Sequence, residues 1–332
     1  RSLQPAIENK KLLFLCEMGL DPGIDHMSAM QLIHRIKEKT GVITSFTSHC
    51  GGLVAPESDD NPWHYKISWN PRNVVMAGKA GAVYRQDNKI KKMGYEELFD
   101  PTRVTGIPAI GSLAWYPNRD SLDYIPVYQL DGVETFIRTT LRHPQFCYGW
   151  KHMIDLKLTD DSIFYETDGM TLKDFFKQHL EHHGFAEAIK KKKQQPAILL
   201  QQLDWLGMYD SDTFINKSRC SAMDVLQFAL EKKLVLNAGD KDMIVMLHEI
   251  EYLQDGKKFR VRSNLIVKGD DNIKTAMAKT VGLPLGIAAK LILQGSITAT
   301  GLHIPVIPAI YEPVLQELQQ HNIAFQENTI TI

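Results

Sequence analysis

The sequence predicts an α/β protein of the α+β type, in which a mixed β-sheet domain carries an inserted helical segment. Short apolar runs bounded by Gly, Pro and Asp are typical of strands, and they occur before position 150 and again from Asp242. Between them, segments 171–183, 197–208 and 221–233 have apolar residues at helical spacing. The length of 332 residues suits two lobes, or one domain with a large insertion.

The first half of the chain contains most of the shorter predicted strands. The apolar run 10–16 predicts a strand, and it leads through a Gly- and Pro-rich turn into a helix whose apolar side includes Met27 and Ile33. A second strand is predicted over 41–50, followed by a loop over 51–73. Three shorter strands are predicted at 82–85, 124–127 and 133–141.

The second half predicts a hairpin and two helices. Segments 243–252 and 259–267 have strand character, and Gln254-Asp255-Gly256 between them is a strong turn signal. A helix is predicted over 272–294, with a break at Gly282-Leu283-Pro284. A strand at 304–306 and a helix at 310–320 end the chain.

The composition excludes several classes of protein. Lys and Arg number 38 and Asp and Glu number 39, so the net charge of −1 does not indicate nucleic-acid or anionic-membrane binding. We found no apolar run approaching a membrane span. The four cysteines form no CxxC pair, which argues against a zinc knuckle or a disulfide framework and favours the cytoplasm. His179, His182 and His183, like Lys190 to Lys193, are more typical of a solvated helix surface than of a ligand site, and we predict no metal.

The segment GLDPGIDH at 19–26 places two carboxylates and a histidine in a tight turn before a helix. Asp25 fits a helix N-cap, and we interpret it as structural. Asp21 fits a turn former, but its carboxylate is equally suited to accept a hydrogen bond from a substrate amine.

Two neighbouring segments carry further reactive side chains. Cys50 is followed by two glycines at a predicted strand end, where the backbone can approach a ligand, although a buried thiol beside a bend is the simpler interpretation. In the loop 61–69, Trp63 and Trp69 are typical of core residues. Tyr65 and Lys66 are candidates for an acid or a carboxylate-binding group.

Two arginines are each predicted at the end of a strand or loop, Arg119 in YPNRDS and Arg142 in TTLRHPQF. Two guanidinium groups that converge on one pocket would bind carboxylates bidentately. Surface ion pairs with Asp120 or Glu134 are an equally good interpretation.

Taken in order, these segments resemble the saccharopine dehydrogenase family, specifically its NADP-dependent, glutamate-forming type. The motifs that carry the resemblance are GLDPGIDH at 19–26, CGGLVAPE at 50–57, NPWHYKISW at 61–69, YPNRDS at 116–121 and TLRHPQF at 140–146. GDKDMIVMLHE at 239–249, TVGLPLGIAAKLI at 280–292 and IPVIPAIYEPVLQEL at 304–318 extend it over essentially the whole chain.

The resemblance implies an enzyme of three parts: a Rossmann domain that binds NADP, a mixed-sheet domain that binds substrate and dimerises, and an inserted helical domain. On that basis we assign 1–20 to the end of the cofactor domain or a junction, 21–149 and 237–301 to the substrate domain, 150–236 to the helical insertion, and 302–332 to a strand and helix that return to the cofactor domain. The sequence has no GxGxxG or GxxxxGK[ST] loop. We therefore expect most of the Rossmann domain to be absent from this chain, and the chain alone to be inactive.

The implied reaction is the reversible condensation of 2-aminoadipate 6-semialdehyde with glutamate, reduced by NADPH to saccharopine. Arg119 and Arg142 match positions that bind substrate carboxylates, and Asp21 matches a substrate contact. The matching substrate loop contains Thr140, Leu141, Arg142, His143, Pro144, Gln145 and Phe146. The candidates for proton transfer are Asp21 first, then Cys50, with Tyr65 and Lys66 after them.

The resemblance also implies cofactor and assembly. NADP would be bound mainly by the missing domain, with Trp69 and Asn70 as contacts from this chain, and a homodimer acting on amino-acid substrates in the cytoplasm is expected. Two alternatives stay open: a carboxyspermidine-type dehydrogenase of related fold, and a catalytically silent dimerisation or ligand-binding module.

Overall fold

The computed structural model describes residues 3–187 and 197–332, so Lys190 to Lys193 lie outside the described residues. The helices are α1 (Gln4–Asn9), α2 (Ile24–Glu38), α3 (Pro71–Val75), α4 (Tyr95–Leu98), α5 (Tyr124–Val127), α6 (Pro144–Asp155), α7 (Leu172–His182), α8 (Ala197–Trp205), α9 (Ala222–Lys233), α10 (Ala276–Leu293) and α11 (Pro308–Gln320). The strands are β1 (Leu13–Leu15), β2 (Val42–Val54), β3 (Ala82–Gln86), β4 (Lys89–Met93), β5 (Val104–Ile107), β6 (Gly111–Pro117), β7 (Arg119–Asp120), β8 (Thr135–Arg142), β9 (Phe164–Glu166), β10 (Arg219–Ser221), β11 (Asp242–Gln254), β12 (Lys257–Lys268), β13 (Gly301–His303) and β14 (Gln326–Thr331).

A ten-stranded mixed sheet organises the molecule and confirms the predicted fold class. Its main path runs β14-β12-β11-β2-β8-β3-β4, and β6 joins it by pairing with β8. The central pair β2 and β8 is parallel, whereas β2 with β11 and β11 with β12 are antiparallel. The ends of β2 and β8 therefore lie side by side at the middle of the sheet.

Helices cover one face of this sheet in two separate cores. In the first core, α2, α10 and α11 pack their apolar sides on β2, β11 and β12. In the second, helices α6 to α9 surround Trp63, Trp150 and Phe175. A smaller apolar cluster that includes Leu53, Leu113 and Leu141 lies between the opposite sheet face and the β5–β6 hairpin. The adjacent strands β2 and β8 cross this sheet face in the gap between the two larger cores.

Several sequence predictions of local structure were wrong. Residues 124–127 form the helix α5 instead of a strand, because Pro126 lacks the N–H that a strand ladder needs and the first turn of a helix leaves unused. The predicted loop 51–73 contains the last part of β2 and the start of α3. The last short strand lies at 301–303 instead of 304–306, and the edge strand β14 was not predicted.

Helix α10 continues through Pro284, so the predicted break at 282–284 was wrong. Pro284 is buried, and Ile287 and Leu291 of the same helix belong to the first core, so this burial offsets the lost backbone hydrogen bond. The expectation that no apolar run approaches a membrane span was wrong for α10, which among the described residues is the one helix whose 18-residue length and mean hydropathy of 1.5 reach those of a membrane span. A third of it is buried inside the molecule, and core helices of soluble proteins meet the same two criteria.

His179 and His248 are buried, so the interpretation of His179 as part of a solvated helix surface was wrong, and their burial makes the stability of the fold depend on pH. Burial lowers the pKa of His179 and of His248 to about 4. In the neutral His179 ring, Nε2–H donates to the Leu156 carbonyl and Nδ1 accepts from the Tyr165 hydroxyl, and His248 Nε2 lies 2.7 Å from Ser28 Oγ. The unfolded chain protonates these rings at the ordinary pKa, so folding loses stability as the pH falls below about 6.5. Asp21, whose pKa is raised to about 6, acts in the opposite direction and offsets part of this loss.

We expect the free energy of unfolding, measured by urea denaturation, to be lower at pH 5 than at pH 7 by about 2–3 kcal/mol. In His179→Gln the amide can replace both hydrogen bonds without titrating, so the difference should shrink. Equal stability at the two pH values would contradict the buried, neutral state of these rings.

Candidate active site

Successive side chains of β8 point to opposite faces of the sheet, and three polar ones share one face. Arg138, Thr140 and Arg142 are two residues apart, so they share a face. The register places Thr140 beside Cys50 of β2 on one side and beside Tyr116 of β6 on the other. A row of candidate side chains therefore crosses the sheet between the two larger cores.

The loop Gly19 to Gly23 folds back on itself at the start of α2 and fixes the position of Asp21. Gly19 donates its N–H to the Pro22 carbonyl at 3.1 Å, and Ile24 donates to the Gly19 carbonyl at 2.9 Å. Gly23 has a φ of 150°, and a Cβ there would lie 2.0 Å from the Gly19 carbonyl oxygen. The loop therefore requires glycine at this position.

Arg138 joins the two aspartates of this loop and helix in an ion cluster. Its Nη2 lies 2.5 Å from Asp21 Oδ1 and 2.8 Å from Asp25 Oδ2. The Tyr124 ring lies under the guanidinium, 4.1 Å from its carbon. Asp25 is the second residue of α2 and accepts the Gly23 N–H at 2.6 Å, so it stabilises the loop and the arginine instead of capping the helix.

The two aspartates differ in proton affinity. Burial and the neighbouring Asp25 raise the pKa of Asp21 to about 6, against the lowering effect of Arg138. Burial alone would also raise the pKa of Asp25, but His26, Arg138 and the Gly23 N–H together hold it below its usual value. Asp21 is therefore the member of the pair that can exchange a proton near neutral pH.

Arg142 is a buried cation without a paired anion. Its side chain is 4% exposed, and its Nη1 donates to the carbonyls of Leu141 at 2.8 Å and Gly52 at 3.4 Å. Its Nε has no partner, and no carboxylate among the described residues lies within ion-pair distance. The rings of Tyr65 and Phe146 lie 5.3 and 5.6 Å from the guanidinium carbon. A buried guanidinium in this state is suited to an incoming carboxylate.

Cys50 lies between the two charged groups. Its thiol is buried, and both aspartates and both arginines act on it electrostatically. Burial, together with Asp21 and Asp25, raises the pKa of this thiol well above 9. At neutral pH Cys50 is therefore a weak hydrogen-bond donor instead of a thiolate base.

Tyr65 and Lys66 occupy different environments although they are adjacent. Tyr65 accepts a hydrogen bond from Trp69 Nε1 at 2.9 Å, and its ring faces Arg142. Lys66 points away to Asp60 and Asp240, with Nζ at 2.9 and 2.7 Å from their carboxylates. Although burial opposes the charge, hydrogen bonds to these two aspartates raise the pKa of Lys66, so it keeps its proton. The structure brings Tyr65 to the site and Lys66 into a buried ion pair.

Replacing Lys66 tests whether its role is structural. In Lys66→Met, Asp240 loses its partner, and we expect the free energy of unfolding to fall by about 2–3 kcal/mol, discounted because Asp60 is largely exposed. Ligand binding by the folded variant should match that of the unaltered chain. A variant that is equally stable but binds saccharopine at least tenfold more weakly would instead place Lys66 in the site.

The other predicted substrate residues are distributed around Arg142. Phe146 lies on the first turn of α6, which Pro144 begins, and its ring stacks on Trp150. His143 stacks on His64 with ring centroids 4.0 Å apart, and the Gln145 carbonyl accepts from Gln202. Leu141 points to the opposite sheet face. Their assignment as substrate contacts stays a prediction.

Arg119 lies next to the row, on the short strand β7. It is exposed, and its φ of 50° directs the backbone into the left-handed region. The neighbouring Asn118 donates its N–H to the Arg138 carbonyl at 2.8 Å, so β7 begins beside the Asp21 cluster. Arg119 has no acidic partner among the described ion pairs, and its role as a carboxylate ligand stays a prediction.

The two residues predicted to contact NADP are already engaged. Asn70 Oδ1 accepts from the N–H groups of Arg72 and Asn73 and so caps α3, and the Trp69 indole N–H donates to Tyr65. These bonds occupy the Asn70 side-chain oxygen and the Trp69 indole N–H, and the assignment of both residues as NADP contacts stays a prediction. Within the described residues, no group of three or more His, Cys, Asp or Glu side chains could bind a metal.

Sequence reasoning missed Arg138, the residue that joins Asp21 to Asp25. The signal was present: Arg138, Thr140 and Arg142 alternate in a predicted strand, so a predicted substrate contact at Arg142 implies that Arg138 faces the same way. Tyr124 was missed because its segment was assigned to a strand.

A model of the saccharopine dehydrogenase C-terminal domain matches residues 19–323. The chain belongs to the saccharopine dehydrogenase family. Saccharopine dehydrogenase [NADP(+), L-glutamate-forming] of Saccharomyces cerevisiae is 34% identical over 344 residues, which cover 99% of this chain and 76% of that protein. The mitochondrial alpha-aminoadipic semialdehyde synthase of Bos taurus is 33% identical, over 98% of this chain and 36% of its own length.

A solved structure supports the same membership. The apo histidine-tagged saccharopine dehydrogenase (L-Glu forming) of Saccharomyces cerevisiae superposes with a TM-score of 0.89 at 32% identity, covering 99% of this chain and 77% of that one. The chain thus spans about three quarters of the yeast family member and about a third of the bovine one. The family resemblance predicted from the sequence motifs is confirmed.

Proposed function

We propose that this chain binds saccharopine in an NADP-dependent oxidoreductase that forms it from 2-aminoadipate 6-semialdehyde and glutamate, or splits it in reverse. The yeast family member is named a saccharopine dehydrogenase and the bovine one an alpha-aminoadipic semialdehyde synthase, and both names support a reaction that involves saccharopine or this semialdehyde. The observation that carries the proposal is Arg142, a buried guanidinium with an unpaired Nε and no carboxylate partner among the described residues. Saccharopine has three carboxylates and two amines, so it supplies the missing anion.

Arg142 and Asp21 bind different groups of the substrate. Arg142 binds one substrate carboxylate, and the Tyr65 and Phe146 rings beside it exclude water from the contact. Arg138, shared by Asp21 and Asp25, keeps Asp21 oriented towards the same sheet face. An ionised Asp21 accepts a hydrogen bond from the substrate amine.

Asp21 is also the group we propose for proton transfer. The reaction requires a proton to leave the amine as it attacks the aldehyde and one to be supplied as water departs. With a pKa near 6, the Asp21 carboxylate can take the first proton at neutral pH and return it. The Cys50 thiol beside it keeps its own proton and acts as a donor.

NADP is the cofactor we propose, because the yeast family member carries NADP(+) in its name. When bound, it supplies the hydride that reduces the imine. A homodimer and a cytoplasmic location stay predictions.

Substrate identity is tested by a panel of partners. The protein that carries this chain should oxidise NADPH when 2-aminoadipate 6-semialdehyde and glutamate are both present. Replacement of glutamate by diamines or polyamines should abolish the rate, because these lack the carboxylates that Arg142 binds. A higher rate with a polyamine would instead assign a carboxyspermidine-type activity.

A further inference from the structure

Contacts connect solvent, through Glu17 and His26, to the side of the Asp21–Arg138–Asp25 cluster that faces away from the substrate site. His26, the third residue of α2, is fully buried, and both of its ring nitrogens are engaged. Its Nε2 lies 2.7 Å from Glu17 Oε2, and its Nδ1 lies 2.7 Å from Tyr128 Oη. Glu17 is one-third exposed, so it connects the buried ring to water.

The His26 ring also packs against the aromatic ring on which Arg138 lies. It lies 5.3 Å from the Tyr124 ring, on which the Arg138 guanidinium rests, and it packs edge-on against Tyr128. His26 directly follows Asp25, whose carboxylate binds that guanidinium. The ring therefore lies behind the cluster that orients Asp21.

The charged and titratable groups facing this ring come from every element packed around it. Glu17, Asp21 and Asp25 come from the loop and α2, Tyr124 and Tyr128 from α5, Arg138 from β8 and His248 from β11. Burial lowers the pKa of His248 to about 4, so it is neutral. The groups around the ring that can carry a charge near neutral pH are therefore three carboxylates and the Arg138 guanidinium.

The geometry accommodates a protonated His26 without an unpaired N–H. A carboxylate only accepts, so Nε2 carries hydrogen towards Glu17. In the protonated ring Nδ1–H donates to Tyr128 Oη, and in the neutral ring Nδ1 accepts from the Tyr128 hydroxyl instead. The ring can thus change charge while both contacts persist.

Resting on the function proposed above, we propose that His26 and Glu17 are positioning residues that keep Asp21 ionised. Hydrogen bonds to Glu17 and Tyr128 fix the His26 ring behind the cluster, and in its protonated form this ring adds to the positive charge of Arg138 that favours the carboxylate forms of Asp21 and Asp25. The electrostatics agree: after burial and Asp25 raise the pKa of Asp21, Arg138 and His26 are the groups that lower it. Neither residue touches the reacting atoms in this scheme.

The test measures the Asp21 carboxyl directly. Carbon-13 NMR of aspartate-labelled protein follows the titration, and Asp21→Asn identifies the resonance. In His26→Gln the amide can still bond Glu17 and Tyr128 but has no charge, so we expect the pKa of Asp21 to rise by about one unit. Glu17→Gln should raise it less. His34→Gln is the matched control, because His34 lies on the same helix and bonds Tyr311 Oη at 2.7 Å, away from the cluster.

The acid limb of saccharopine binding should shift to higher pH with the same two variants and not with His34→Gln. An Asp21 titration that is unchanged in both variants would overturn the proposal. If His26→Gln does not fold, the partly exposed Glu17→Gln decides alone. Failure of the unaltered chain to bind saccharopine would count against the proposed function, whereas normal binding with an unmoved titration would count only against His26 and Glu17.

Discussion

Replacing Arg142 by methionine should weaken saccharopine binding about 100-fold, equivalent to about 2.7 kcal/mol. The methionine keeps the length and apolar contacts of the side chain with Tyr65 and Phe146 but removes the donors that bind a carboxylate. Because the guanidinium is buried without an anion, its removal should leave the free energy of unfolding unchanged or increase it. Calorimetric titration and thermal denaturation of the same samples measure both effects.

Weaker binding without a loss of stability would distinguish a residue that binds substrate from one that stabilises the fold. Arg85→Met is the matched control, since Arg85 donates to the carbonyls of Asp131 and Val133 and lies away from the row. It should bind saccharopine as the unaltered chain does. If Arg142→Met lost stability and bound saccharopine within threefold of the unaltered chain, the carboxylate site would be wrong.

Asp21→Asn should remove the pH dependence of binding between about pH 5 and 7. In the unaltered chain, Asp21 has a pKa of about 6, so its carboxylate is lost and affinity for the cationic amine falls as the pH decreases through that value. The asparagine variant should bind about tenfold more weakly at pH 8, roughly the value of one charge-assisted hydrogen bond. It should also reduce turnover more than affinity, because it has no group to take the amine proton.

The exposed carboxylate Asp87, at the turn between β3 and β4, provides the control. Asp87→Asn changes the net charge by the same amount and should leave the binding profile as it is. A persistent midpoint near pH 6 in Asp21→Asn would assign the titration to another group.

Short-range patterns predicted much of the fold. The hairpin of β11 and β12 and the helices α2, α7 and α9 follow from apolar spacing and turn residues that act within a few positions. The errors arose where long-range packing decides. Pro284 is tolerated in α10 because the helix is buried on one side, and β14 pairs with β12 although no apolar alternation marks it.

The site was predictable residue by residue but not as an arrangement. Motif order indicated Asp21, Cys50 and Arg142, and the structure places all three along one sheet face. Lys66 was also a candidate in sequence, ranked after Asp21 and Cys50. Only its pairing with Asp240, which lies far along the chain, separates it from the site. Such partners depend on topology, which a single sequence specifies weakly.

The most direct test of the central claim is calorimetric titration of saccharopine into the chain at pH 8, where Asp21 is ionised. We predict saturable binding with a Kd of about 1 mM or lower, competition by glutamate, and no competition by spermidine. An absence of saturation at tenfold higher concentration, or equal competition by spermidine, would contradict the assignment of this sheet face as a saccharopine site.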